Sequence, residues 1–300
     1  MRQTHLLIAA VAMVGCGKKT TPAEPETNAE PKVAAEKQEP PKVEPQKQVP
    51  PNVEANKPEP PKTELKPEAK IPAKAFTNTL GMKFVPVPGT QVAFCIWETR
   101  VKDYAAYAGA NAGVDGRWKK PGFQQEDTHP VVNVSWNDTN AFCEWLTKKE
   151  MAEGKIKAGQ KYRLPTDAEW SVAVGLGKEK GNTLQEKHRG IKDAYPWGKG
   201  YPPPKGAGNY DESLKVDNFE NTSPVGSFAS NKNGLHDMGG NVWEWCEDKY
   251  SPTSTSRVLR GASWLVYFPG ILLSSYRILT PGHHSYYVGF RCVLVGGSGG

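Results

Sequence analysis

A chain of 300 residues with 38 Lys and Arg against 32 Asp and Glu is only mildly basic. Its cations are dispersed, without the clustered stripe that nucleic-acid binding requires, so no nucleic-acid partner is expected. Composition is uneven: the first quarter is dense in proline and has no tryptophan, and all nine tryptophans lie from Trp97 onward. One good-sized domain with an appended segment is the organisation this implies.

Residues 1–16 read as a bacterial secretory signal. Arg2 supplies the positive start, and Leu6–Val14 is apolar but too short to span a bilayer as a mature helix. The run ends in Met13-Val14-Gly15-Cys16, a small residue before a cysteine, which resembles a lipobox. Cys16 is therefore the expected lipidation site, and the chain is expected to be exported and lipid-anchored, at the outer membrane or its periplasmic face. Acyl chains contribute about 0.8 kcal/mol per buried CH₂, so several of them anchor stably.

Residues 17–74 are rich in Pro, Glu, Lys, Ala and Gln and nearly free of aromatics. Such a segment cannot bury enough apolar surface to offset its ordering entropy, and is expected to be a disordered linker. A ten-residue repeat runs through it: Pro31-Lys32-Val33-Ala34, Pro41-Lys42-Val43-Glu44, Pro51-Asn52-Val53-Glu54 and Pro61-Lys62-Thr63-Glu64. Proline stiffens such a stretch, at about 3.1 Å per residue in polyproline II. It reads as a semi-rigid stalk, with a ligand for a proline-binding partner as the alternative.

The folded domain is expected over 75–295, with a flexible Gly/Ser tail at 296–300. Phe84–Pro88 and Val92–Trp97 read as strands around a turn at Gly89. Thr99 is placed as the cap of a helix over Arg100–Ala108, because Val101, Tyr104, Ala105 and Ala108 fall at helical spacing. His129–Val134 reads as a strand, and Asn137–Ala152 as a helix with Ala141, Phe142, Trp145 and Leu146 on one face. Thr166-Asp167-Ala168-Glu169 is a capping box that starts a third helix. Beyond Gly175 little is periodic, and loops, turns and short strands are expected. The fold class is α+β without a doubly wound sheet.

The densest chemistry lies in Gly234–Asp248, where a Gly-Gly turn, two tryptophans and several oxygen donors share one short stretch. Asp237, the carbonyls of Gly240 and Val242, and the Glu244 carboxylate can converge on a hard cation such as Ca²⁺, which takes oxygen ligands. A Gly/Trp-rich core turn without metal is the alternative.

Six segments occur in order: His129-Pro130-Val131-Val132-Asn133-Val134-Ser135-Trp136, Arg163-Leu164-Pro165-Thr166-Asp167-Ala168-Glu169-Trp170, Tyr195-Pro196-Trp197-Gly198, Gly234 to Trp245, Arg260-Gly261-Ala262-Ser263-Trp264 and Gly289-Phe290-Arg291-Cys292. This pattern resembles the sulfatase-modifying-factor, or formylglycine-generating-enzyme, family over Ala75–Val295. The resemblance implies a C-type-lectin-like α+β fold with little regular structure. It also implies oxidation of a sulfatase cysteine to formylglycine by copper held on two thiolates, soft ligands suited to Cu(I). Here Val266 and Ile271 stand at the thiolate positions, and no cysteine occurs between Cys246 and Cys292. Copper is therefore not expected, and a non-catalytic binding or scaffold module is the reading, with a formylglycine-generating oxidase as the alternative. Sulfoxide synthases containing a similar domain place iron on histidines of a separate helical bundle, for which this chain has no room.

The resemblance further assigns one Ca²⁺ to Asp237, Gly240, Val242 and Glu244, and a second to Asn209, Tyr210, Asp217 and Phe219. It implies a Cys143–Cys292 disulfide, while Cys95 and Cys246 either pair or remain buried thiols. It places Ser263, Trp264, Tyr276 and Arg277 along a cleft open to a protein or peptide partner, although an arginine like Arg277 is more often a structural ion-pair clamp. The apolar loop Val266–Leu273 is either a docking surface or buried packing. His236, His283 and His284 read as local structure or exposed loop histidines.

Overall fold

The computed structural model describes residues 70–251 and 253–296, so the predicted signal, Cys16, most of the linker and the end of the tail lie outside the described residues. Two small sheets carry the chain. The first has five antiparallel strands in the order β1-β2-β3-β9-β4: β1 is Phe76–Thr77, β2 Lys83–Pro86, β3 Val92–Cys95, β4 Lys161–Arg163 and β9 Val293–Val295. The last strand inserts between β3 and β4, with Phe94 opposite Val293 and Tyr162 opposite Leu294. The second sheet runs β7-β6-β5-β8, where β5 is Trp243–Lys249, β6 Arg257–Arg260, β7 Ile278–Thr280 and β8 Val288–Gly289. Only the β5–β8 pair is parallel.

Four helices pack around these sheets: α1 (Val101–Ala110), α2 (Trp136–Ala152), α3 (Asp167–Val174) and α4 (Leu184–Gly190). Helix α3 begins as the capping box predicts. The Thr166 hydroxyl accepts from the Glu169 amide at 3.2 Å, and Glu169 accepts from the Thr166 amide at 2.8 Å. It stops at Gly175, whose φ of 107° is open to glycine and costly for other residues. Helix α2 starts the same way, on Ser135 and Asp138. Helix α1 differs from expectation: Thr99 is not its cap. The Asp103 carboxylate instead accepts from the Arg100 amide at 3.0 Å, while Thr99 is buried with its Oγ1 3.7 Å from Cys292 Sγ.

The stretch His129–Val134 is not a strand. Its backbone is taken up piecemeal, Val131 donating to Thr99 O and Asn133 to Ser285 O, so no ladder forms. Helix α4 was not expected. Thr183 and Glu186 form its capping box, but it buries no residue and leaves no apolar periodicity to detect.

Two adjoining apolar cores hold the elements. In one, Tyr104 contacts Tyr107, Trp118 and Phe142 with ring centroids 5.2, 5.4 and 5.9 Å away, and Trp245 and Phe290 are fully buried beside them. The other gathers Phe94, Trp170, Leu235, Met238 and Val258. Each fully buried aromatic contributes on the order of 2–3 kcal/mol by area alone. Much of the chain between these elements is irregular, which is the α+β architecture with low regular structure. Among the described residues no helix is long and apolar enough to cross a membrane.

Candidate functional site

The Gly234–Asp248 stretch folds as a knot of left-handed residues followed by strand β5. Gly234, Asp237, Gly240 and Asn241 all have φ between 54° and 82°. At Gly240 a Cβ would lie 2.3 Å from the carbonyl oxygen of Asn209, so only glycine lets the two segments approach this closely. The Asn241 amide then donates to that same carbonyl at 2.8 Å, and Asn209 Nδ2 to Asn241 Oδ1 at 3.3 Å. The turn thereby brings the two predicted oxygen-donor sets side by side, although they are far apart in sequence.

In the first set, Asp237 is buried and its Oδ2 accepts from the Gly226 amide at 2.6 Å. Glu244 is fully buried, with Oε1 accepting from Arg291 Nη2 at 2.6 Å and Oε2 from Arg291 Nε at 2.8 Å and Trp170 Nε1 at 2.9 Å. This revises the expectation for Glu244: its carboxylate is an ion-pair partner, and a cation would have to share it with Arg291. Glu98 was not expected at all. It is fully buried, and neither carboxylate oxygen has a hydrogen-bond partner. Burial holds its carboxyl well above the usual range, and the negative field of Asp237 adds to that, against the pull of Arg291. Burial also raises Asp237. Glu98, Asp237 and Glu244 thus lie in the field of one buried guanidinium that bonds only Glu244, and the unpartnered Glu98 carboxylate would suit an oxygen-seeking cation. No cluster of three His, Cys, Asp or Glu among the described residues has ready-made metal geometry, so such a cation would lean on backbone carbonyls.

In the second set, Asp217 is committed to its own loop, Oδ2 accepting from the Tyr210 amide at 3.0 Å and Oδ1 from the Phe219 amide at 2.9 Å. Asn209 is buried and its Oδ1 lacks a partner, while its Nδ2 donates to Asn221 O at 2.8 Å. The spare acceptor and the two-coordinate carboxylate again suit an oxygen-seeking cation. On the other side of the Gly-Gly turn, a depression of about 660 Å³ is walled by Tyr195, Trp197, Phe228, Met238 and Asp237.

The four predicted cleft residues divide. Ser263 is fully buried and Arg277 nearly so, whereas Trp264 and Tyr276 are part-exposed. Arg277 donates through Nε to Asp167 Oδ1 and through Nη2 to Asp167 Oδ2, both at 2.9 Å, and also pairs with Glu179. Arg260 pairs with the same Asp167 and lies 4.4 Å over the Trp170 ring. Arg277 therefore clamps the interior and does not line an open groove. Tyr276 packs against His188 with ring centroids 4.6 Å apart and tilted by 57°, and burial, then Arg277, holds that imidazole below its usual range.

Val266 and Ile271 are partly buried and pack against the larger core, so hydrocarbon fills the positions assigned to thiolates. Between them Tyr267 and Phe268 are exposed and stacked at 4.3 Å. The loop is thus packed against the core at its ends and exposed at its tip.

All four described cysteines are buried thiols. The expected Cys143–Cys292 disulfide is absent: the sulfurs meet, but at 3.6 Å, against about 2.05 Å for a disulfide. Burial raises the Cys292 thiol, and contact with Cys143 adds to it. Of the histidines, His236 Nδ1 contacts Phe228 O at 2.8 Å as local structure, and His283 is exposed. His284 is not a free loop residue. Its Nε2 is 2.9 Å from Asp138 Oδ2 and its Nδ1 2.9 Å from Arg117 Nη1. Both partners lie far back in sequence, and no local signal announces them.

The family model described as "Sulfatase-modifying factor enzyme 1-like domain" matches residues 51–295. The chain is 34% identical over 196 residues to the mouse "Inactive C-alpha-formylglycine-generating enzyme 2", covering 60% of this chain and 55% of that protein. It is 30% identical over 211 residues to the "Formylglycine-generating enzyme" of Thermomonospora curvata, covering 58% of this chain and 60% of that one. The chain thus spans little more than half the length of these curated relatives. In fold it is similar to PvdO from Pseudomonas aeruginosa, with a TM-score of 0.55 at 23% identity, over 76% of this chain and 100% of that one. With motif order, architecture and family match in agreement, this chain belongs to the sulfatase-modifying-factor family.

Proposed function

We propose that the chain is a non-catalytic binding module of this family, displayed outside the cytoplasmic membrane on a lipid attached to Cys16. The observation that carries this reading is the pair Val266 and Ile271. Neither side chain can ligate a metal, both pack against the core, and the next thiols in the chain, Cys246 and Cys292, are fully buried. Similarity to relatives named inactive formylglycine-generating enzymes supports it.

In this reading calcium is structural. Asp237 and a shared Glu244, with the carbonyls of Gly240 and Val242, would hold one ion, and Glu98 would add negative charge beside it. Asn209, Asp217 and the carbonyls of Tyr210 and Phe219 would hold the other. The ions would supply positive charge where buried carboxylates exceed guanidinium, and they would fasten the 209–219 loop to the Gly-Gly turn. Lipid attachment is tested by detergent phase partition of the wild-type chain and Cys16→Ser expressed in a bacterium, the variant moving to the aqueous phase.

The functional test is mass spectrometry of a cysteine-containing sulfatase peptide incubated with the copper-supplied protein and oxygen. An unchanged peptide is the expected result. Conversion of its cysteine to the aldehyde would restore the oxidase reading.

A further inference from the structure

The 266–273 loop carries an aromatic tip that stands clear of both cores. Tyr267 is 43% exposed and Phe268 53%, with their ring centroids 4.3 Å apart. Tyr201, 42% exposed, joins them from a second loop and donates its hydroxyl to Tyr267 O at 2.9 Å. Three of the six large apolar side chains that stand exposed among the described residues are therefore gathered in one knob. Pro202 and Pro269 are exposed in the same two loops. A single exposed apolar residue means little, but a contiguous cluster marks a contact surface.

Two features select what the knob would contact. The first is charge. Residues 261–276 contain no Asp, Glu, Lys, Arg or His, so the loop has no ion pair to offer a charged peptide. The exposed Lys199 and Lys205 flank Tyr201 in the neighbouring loop. Of the nearby acids, Asp193 accepts from the Gly200 amide at 2.9 Å and Asp211 from the Ser213 amide at 3.0 Å, while Glu212 is exposed. The second feature is the backbone. Val266 O accepts from the Asp211 amide at 3.4 Å, Tyr267 O from Tyr201, and Phe268 O from the amides of Ile271 at 3.0 Å and Leu272 at 3.1 Å. Pro269 has no N–H to satisfy. A tip whose carbonyls are already bonded loses little on leaving water, which is what entry into the boundary of a bilayer requires. Aromatic rings with a hydroxyl handle, beside lysines, are the composition that settles at that depth.

We propose that this knob is a membrane contact: Tyr201, Tyr267 and Phe268 enter the headgroup boundary of an anionic phospholipid bilayer, with Lys199 and Lys205 at its phosphates. The proposal rests on the lipid-anchored reading for the encounter and deepens it, since it names the surface the tethered domain meets. At about 3.1 Å per residue, the chain from Cys16 to Lys70 can span roughly 170 Å, enough for the knob to reach that bilayer. Tethering also keeps its local concentration there high.

The test uses the full chain with Cys16→Ser and Gly270→Cys, labelled at the new thiol with an environment-sensitive nitrobenzoxadiazole dye. A Cβ at Gly270 meets no atom within 4 Å, and the four described cysteines are buried, so the dye goes to the tip without strain. A companion chain carries the dye at Gly109→Cys on α1, where a Cβ also meets nothing within 4 Å. On vesicles of phosphatidylglycerol and phosphatidylcholine the tip dye should brighten and shift to the blue, and the α1 dye should not. Tyr267→Ser with Phe268→Ser should abolish the shift. Lys199→Glu with Lys205→Glu should raise the lipid concentration for half the shift at least about fivefold, an effect that added salt reproduces. All four side chains are exposed, so these variants should keep the wild-type melting temperature. No shift, an equal shift at Gly109, or an equal shift with lipid-free albumin would overturn the proposal. So would a shift without lipid that grows with protein concentration, which would assign the knob to a second copy. Detergent phase partition separates the two failures. An unshifted dye with Cys16-dependent partition rejects only the knob, whereas partition that ignores Cys16 rejects the anchor and leaves the vesicle result to decide the knob.

Discussion

Substituting Asp167→Ala tests the interior on which every surface above depends. Asp167 is buried at the N-terminus of α3 and takes two 2.9 Å bonds from Arg277 together with an ion pair from Arg260. Removing it leaves two buried guanidiniums to share Glu179. Breaking a buried pair by deleting one partner costs about 3–5 kcal/mol, because the charge left behind is desolvated without compensation. At about 2–4 °C per kcal/mol for a domain of this size, the melting temperature should fall by roughly 6–20 °C. Asp167→Asn, which keeps an acceptor but no charge, should fall by less. Circular dichroism melts at neutral pH measure both.

The pH dependence has a definite sign. Burial alone would raise the Asp167 carboxyl, but Arg260 and Arg277 more than offset it and hold it below its ordinary value of 3.8. The stabilisation is therefore full above about 3.8 and is lost as pH falls through the lower folded value. The gap between wild type and Asp167→Ala should be constant from neutral to mildly acidic pH and close only below that point. A loss under about 1 kcal/mol at neutral pH would show that the cluster is no network.

Other outcomes follow from the same geometry. Gly240→Ala, with φ of 82° and its new Cβ 2.3 Å from Asn209 O, should destabilise by at least about 2 kcal/mol in denaturant titrations. Glu98→Gln should reduce the rise in melting temperature that calcium gives over a chelator, because it removes a negative charge from beside the ion. Alkylation during unfolding without reductant, followed by mass mapping, should label Cys95, Cys143, Cys246 and Cys292 alike.

What was legible in the chain was local. The Thr166–Glu169 box carries its partners within three residues, so spacing alone places it. The alternation in His129–Val134 imitated a strand because its side chains are buried, while its amides are claimed by Thr99 and Ser285 from elsewhere. Glu98 and His284 were not legible for a related reason. The charged groups around them are more than a hundred residues away, and a lone carboxylate after an apolar strand looks like any other. Arg277 was placed along a cleft by resemblance, yet the acids of α3 and the following turn draw it inward.

The most direct measurement of the central claim is the metal content of the purified protein after growth with both calcium and copper, by inductively coupled plasma mass spectrometry. The account predicts calcium bound and copper far below one atom per chain. Copper at one atom per chain, lost on substitution of residues around Val266 and Ile271, would contradict it.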